Sequence, residues 1–110
     1  MMLGEFEYLL ITAAANLGEN AYGVVIRESI MQATGRSCSI GALYTTLDRL
    51  EAKGFVRTWM AEGTPQRGGR SRRMVRVTSA GKVAAKSFYT AIIRISDRAP
   101  WAVRHTEDAG

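Results

Sequence analysis

The sequence has a single cysteine, a single histidine, only two prolines and no long apolar run. One cysteine, Cys38, excludes an intrachain disulfide. The lone histidine, His105, falls in a polar C-terminal stretch, and no His, Cys, Asp or Glu residues fall at metal-ligand spacing. The expectation is a protein that is not an enzyme and that needs no cofactor or metal. A membrane-spanning helix needs roughly 18 apolar residues, and no segment approaches that. The apolar stretch from Tyr8 to Leu17 follows Glu5 and Glu7 and no Lys or Arg, so the basic region of a secretory leader is missing. A cytoplasmic protein with no membrane partner is expected. Acid is also missing locally, since no Asp or Glu occurs between Gly63 and Ile95.

What is present is basic. Fifteen Lys and Arg face ten Asp and Glu, a formal net charge of +5 on 110 residues, and the sequence pI is near 9.9. Such a balance on a small domain points to an acidic partner, either nucleic acid or an anionic surface. The chain is 46% apolar and 23% charged, which suits one globular domain with a modest core.

Periodicity divides the chain into helices and a hairpin. Leu3, Phe6, Leu9, Leu10, Ala13, Ala14 and Leu17 form one helical stripe, and Tyr8, Ile11 and Ala15 fall opposite. A helix with two apolar faces has more to bury than one small core requires. A second helix fits Tyr22 to Thr34, with Val24, Val25, Ile30 and Met31 apolar and Gly35 as its stop. Ser39 is an N-cap for a third helix, Ile40 to Lys53, ending at Gly54. Its inner face holds Ile40, Leu43, Leu47 and Leu50; Gly41, Ala42, Thr45, Asp48, Arg49 and Ala52 lie opposite. Small outer residues near its start would let the backbone sit deep in a major groove. After Gly54 the pattern alternates, giving strands over Phe55–Met60 and Met74–Val77. A last helix runs from Ser79 to Asp97, with Ala84, Ala85, Phe88, Ala91, Ile92 and Ile95 on one side. The order is helix-turn-helix, then a β-hairpin, then a further helix: a mainly α winged helix-turn-helix with a C-terminal dimerisation helix. The expected division is 1–78 for DNA binding, 79–98 for dimerisation and 99–110 as a tail. Tyr8, Ile11, Ala15, Phe88, Ile92 and Ile95 are the expected homodimer contacts.

The hairpin tip is the strongest chemical signal. Arg67, Arg70, Arg72, Arg73 and Arg76, with neighbouring glycines, offer planar donors suited to phosphate oxygens. Gly63 and Gly68 have the spacing of a nucleotide-binding loop, but Gly69-Arg70 follows where Lys and Ser or Thr are needed. Tyr89 and Trp101, with Phe88 and Trp59, are candidates to line a pocket for a small aromatic effector.

The segment Ser39-Ile40-Gly41-Ala42-Leu43-Tyr44-Thr45-Thr46-Leu47-Asp48-Arg49-Leu50-Glu51-Ala52-Lys53-Gly54-Phe55-Val56 resembles the signature helix of PadR-type regulators. Gly68-Gly69-Arg70-Ser71-Arg72-Arg73, Val77-Thr78-Ser79-Ala80-Gly81 and Ala21-Tyr22-Gly23 are similar to further elements of that family, in the same order. The resemblance spans about residues 5 to 95. It implies a dimer built through the first and last helices, repression at a roughly palindromic double-stranded operator, and release by a small molecule. It also implies that Tyr44 touches phosphate or flanks the base-reading surface, and that Arg70 and Arg72 reach the backbone or minor groove. Ile40 and Ala42 depart from the usual proline and threonine, and the short C-terminal part suits a compact branch. The expected DNA-contacting set is Ser39, Gly41, Ala42, Tyr44, Thr45, Arg49, Arg67, Arg70, Arg72 and Arg73. Two other classes compete: a winged-helix protein-interaction module with an incidental basic wing, and a regulator switched by oxidation of Cys38.

Overall fold

The structure, a computed structural model, describes residues 3–62 and 72–103. Arg67, Arg70 and the polar tail beyond Val103 lie outside the described residues. The elements run α1 (Glu5–Leu17), a short 3-10 turn (Gly18–Asn20), α2 (Gly23–Thr34), α3 (Ile40–Ala52), β1 (Val56–Ala61), β2 (Arg72–Val77) and α4 (Ser79–Ser96).

Local chemistry explains the helix ends. Ser39 Oγ accepts from the Ala42 amide at 3.0 Å and caps α3, and Thr78 Oγ1 accepts from the Gly81 amide at 3.0 Å and caps α4. Each such cap is worth about 1 kcal/mol. The Thr78 hydroxyl also donates to the Gly54 carbonyl at 2.7 Å, tying the start of α4 to the end of α3. Gly54 takes φ 81°, the left-handed conformation that ends α3 and turns the chain into β1. Gly81 lets α4 lie against that turn: a Cβ there would meet the Phe55 carbonyl oxygen at 2.1 Å.

β1 and β2 pair antiparallel from Val56↔Val77 to Ala61↔Arg72. β2 therefore begins at Arg72, two residues before the apolar alternation starts, because ladder hydrogen bonds are indifferent to side-chain polarity. The edge of β2 is also engaged: the Val75 amide donates to the Ala21 carbonyl at 2.9 Å, and Tyr22 bridges Met74.

Leu10, Ile11, Ile26, Leu43, Leu47, Leu50 and Val56 are fully buried and form the centre of the core. Burial of each such side chain contributes roughly 1.5–3 kcal/mol. Four expectations are corrected by this packing. Ile11 is only 1% exposed, so it belongs to its own chain's core and offers no surface to a second subunit. Ile40 at the first turn of α3 is exposed while Thr46 is buried, its hydroxyl satisfied by the Ala42 carbonyl at 3.0 Å. Val24 and Met31 of α2 are exposed, and Ile26 takes the inner place. The second apolar face of α1 is covered partly from within, since the Tyr8 ring stacks on Phe88 of α4 at 4.7 Å between centroids.

The first half of α4 packs on the core through Ala84, Ala85 and Phe88. Its second half does not, and Ile92, Ile93 and Ile95 stand exposed. The radius of gyration, 16.2 Å, exceeds the roughly 13 Å of a compact domain this size, consistent with a projecting helix. Among the described residues, no helix is long and apolar enough to cross a membrane.

Candidate nucleic-acid interface

The outward face of α3 carries Gly41, Ala42, Thr45, Asp48 and Arg49, all exposed. It faces away from Leu43, Leu47 and Leu50, whose burial sets the helix's rotation. Ser39 is exposed at its start with its hydroxyl oxygen engaged in the cap. Tyr44 is half-buried at the edge of this face. Its ring lies against Gly23 of α2, where a Cβ would meet Tyr44 Cε1 at 2.8 Å, so a glycine is needed for the helices to approach.

Beside α3 stands the two-stranded wing. One of its faces carries Arg57, Trp59, Arg72, Met74 and Arg76; the other carries Val56, Thr58, Met60, Arg73, Val75 and Val77. The guanidinium of Arg72 sits over the Tyr22 ring, 5.0 Å from its centroid, and that of Arg76 lies 6.0 Å from the Trp59 ring. Among the described residues Arg57, Arg72, Arg76 and Lys82 make no ion pair, so their charge is available to an anion.

Arg73 differs, because its charge is already engaged within the chain. Its side chain is 17% exposed, and Nη2 donates to Asp48 Oδ1 at 2.7 Å and Thr58 Oγ1 at 3.3 Å. Glu51 Oε1 lies 3.6 Å away, and the guanidinium sits 5.5 Å from the centre of the Tyr44 ring. Glu51 in turn accepts from the Thr58 amide at 2.9 Å and the Thr58 hydroxyl at 2.8 Å. The backbone amide of Thr58, then its hydroxyl, hold the Glu51 carboxyl below its ordinary pKa, with help from Arg73. Helix periodicity offers no sign of this network, because its members come from three elements.

A second network steadies α3 from below. Lys53 Nζ donates to Glu7 Oε2 at 2.9 Å, and the Gly4 amide donates to Glu7 Oε1 at 2.7 Å. Burial pushes the Glu7 carboxyl up, but the Gly4 hydrogen bond and the Lys53 ammonium outweigh it and hold the pKa below the ordinary value.

Of the expected dimer contacts, Ala15, Ile92 and Ile95 are exposed, and Tyr8 and Phe88 are half-buried against each other. Tyr89 and Trp101 are exposed, Trp101 by 80%, and neither lines the cavity of about 500 Å³ beside the wing or that of about 540 Å³ along α4. The cavity of about 500 Å³ is instead bordered by Trp59, Arg76, Lys82 and the end of α1. Cys38 is a half-buried free thiol just before α3, and its carbonyl accepts from Arg27 Nε at 2.6 Å.

Helix, turn, buried-backed helix and adjoining hairpin define the winged-helix class, which presents its third helix to DNA. Residues 13–87 match the PadR-like family of transcriptional regulators. The chain belongs to that family and is a DNA-binding transcriptional regulator, not an enzyme. Solved structures show the same fold. A PadR-like regulator from Bacillus cereus is 16% identical with TM-score 0.69, the match covering 84% of each chain. A PadR family regulator from Eggerthella lenta is 22% identical with TM-score 0.64, over 84% of this chain and 80% of that one. One from Clostridium difficile is 20% identical with TM-score 0.65, over 86% and 96% respectively. A comparison with curated proteins finds no match.

Proposed function

We propose that this chain is a cytoplasmic repressor that binds a roughly palindromic operator as a homodimer and lets go when a small aromatic molecule binds. The observation that carries the reading is the open outer face of α3 beside a wing whose Arg57, Arg72 and Arg76 make no ion pair among the described residues. Gly41 and Ala42 let the start of α3 enter a major groove, with Ser39 at the phosphate edge. Thr45 offers a hydroxyl or methyl and Arg49 a guanidinium to base edges. Tyr44 flanks that surface; Arg67, Arg70 and Arg72 supply phosphate contacts from the wing.

The dimer rests on the projecting half of α4. Ile92, Ile93 and Ile95 form an apolar surface that water would otherwise cover. Two-fold pairing would present two copies of α3 to successive major grooves, hence a palindromic site. For the effector, the cavity beside Trp59 is better furnished than Tyr89 and Trp101, since Arg76 and Lys82 can meet a carboxylate while Trp59 stacks on a ring.

Thr45→Ala and Arg49→Ala test the reading. Both positions are exposed, so thermal stability should change by less than about 0.5 kcal/mol. Binding to an operator selected from random duplex should weaken by about 1–3 kcal/mol per lost base contact, with little change on random DNA. Equal losses on both DNAs would make these residues backbone contacts; no loss on either would show that α3 is not the reader. A protein-interaction module would bind duplex DNA without this selectivity.

A further inference from the structure

We infer that Asp48, Glu51, Thr58 and Arg73 form a strut that sets the angle of the wing relative to α3, so that Arg73 and Asp48 are positioning residues in DNA recognition rather than DNA contacts. The inference rests on the reading that α3 and the wing bind DNA together.

The wing is held at its base, along the β2 edge, where the Val75 amide donates to the Ala21 carbonyl and Tyr22 bridges Met74, and on the side of α3. At its base Val56 and Val77 are buried in the core, and the Thr78 hydroxyl and amide bond to Gly54 and Phe55. Further out, the only ion pairs between wing and α3 among the described residues are those of Arg73 with Asp48 and Glu51. Arg73 pairs with Met60 in the ladder, four residues from Val77, so the strut acts near the outer end of the described hairpin. Four residues of strand reach roughly 13 Å, so a swing of about 10° at the base would move that end by roughly 2 Å. Hydrogen-bonded contact with phosphate tolerates much less displacement than that.

Charge placement supports the assignment. Asp48 is exposed on the face of α3 that would meet DNA, where a carboxylate repels phosphate. Its offsetting role is visible in the structure, because it takes the short charge-assisted hydrogen bond from Arg73. Arg73 is in turn committed to Asp48, to Thr58 and to the face of Tyr44, which bears on Gly23 of α2. The strut thus reaches from β1 and β2 through α3 to α2, the two helices of the reading unit.

The experiment measures binding of the full-length protein to two duplexes, one selected by the wild type from a random pool and one unselected, across a salt series. Asp48→Asn removes a negative charge yet should weaken the selected duplex about tenfold, and Arg73→Ala should do the same. The double variant should be no worse than Arg73→Ala alone, because the partners share one interaction. The salt slope of Arg73→Ala should match the wild type, whereas loss of a phosphate contact would make it shallower by about 1. Arg73→Lys separates the roles further: a lysine serves a phosphate but cannot bridge Asp48, Thr58 and the Tyr44 face, so it should not restore binding. Thr58→Val, which keeps every charge, should also lower discrimination between the two duplexes. Tighter binding by Asp48→Asn, a shallower slope for Arg73→Ala or full activity of Arg73→Lys would overturn the strut. If these occur while Thr45→Ala and Arg49→Ala still lose selectivity, the strut fails and the DNA-reading assignment stands. A wild type that enriches no duplex would overturn both.

Discussion

Glu7→Gln isolates the pair that ties α1 to the end of α3. The substitution keeps the side-chain shape and an acceptor for the Gly4 amide, but leaves the Lys53 ammonium without an opposite charge. The Glu7 side chain is 7% exposed and that of Lys53 19%, so the pair is largely withdrawn from water. Breaking a fully buried pair on one side costs about 3–5 kcal/mol, and the residual exposure of Lys53 lowers the expectation to about 2–3 kcal/mol. In a domain of this size that corresponds to a fall in Tm of roughly 10 °C. The assay is thermal and urea denaturation at one fixed protomer concentration, because any dimer would make stability depend on concentration. Because the Glu7 carboxyl is depressed, its stabilisation is fully present above the ordinary carboxylate pKa and is lost as pH falls through the folded value. The gap between wild type and Glu7→Gln should therefore be widest near neutrality and close under acid. Glu51 is depressed in both proteins, and its contribution cancels in the difference. A companion Glu7→Leu/Lys53→Met variant should recover most of the stability, short of about 1 kcal/mol for the Gly4 amide left without its acceptor. A gap under 0.5 kcal/mol at neutral pH, or one unchanged on acidification, would refute the argument.

Two other outcomes follow from exposed features. Ile95 is 81% exposed within the chain, so Ile95→Asp should leave the monomer fold intact while light scattering shows the dimer lost; a wild type that is monomeric at micromolar concentration would sink the dimer reading. In a Trp101→Phe background, benzoate should quench Trp59 fluorescence and weaken operator binding, and Arg76→Ala should weaken both effects; quenching untouched by Arg76→Ala would place the ligand elsewhere.

The order of elements was legible in the residues because it depends on local chemistry. Ser39 as a cap, Gly54 as a helix end and the change from helical to alternating periodicity act within a few positions of chain, and they place α3 and the wing next to each other. The rotation of α3 was equally legible, since burying Leu43, Leu47 and Leu50 leaves Thr45 and Arg49 outward. Partner choice was not. Ile11 and Ile95 are both apolar helix positions, and only the packing of α1 puts the first in the core and leaves the second in water. Arg72 and Arg73 are adjacent and chemically identical, yet strand alternation sends one to the Tyr22 ring and the other to Asp48. A basic loop reads the same whether its arginines meet phosphate or a neighbouring carboxylate. The sequence by itself determined the helix-turn-helix, the wing and their charge; tertiary structure decided which of those charges are already spent, because the acids that neutralise Arg73 lie 22 and 25 positions away along the chain and come beside it only when β2 folds back along α3.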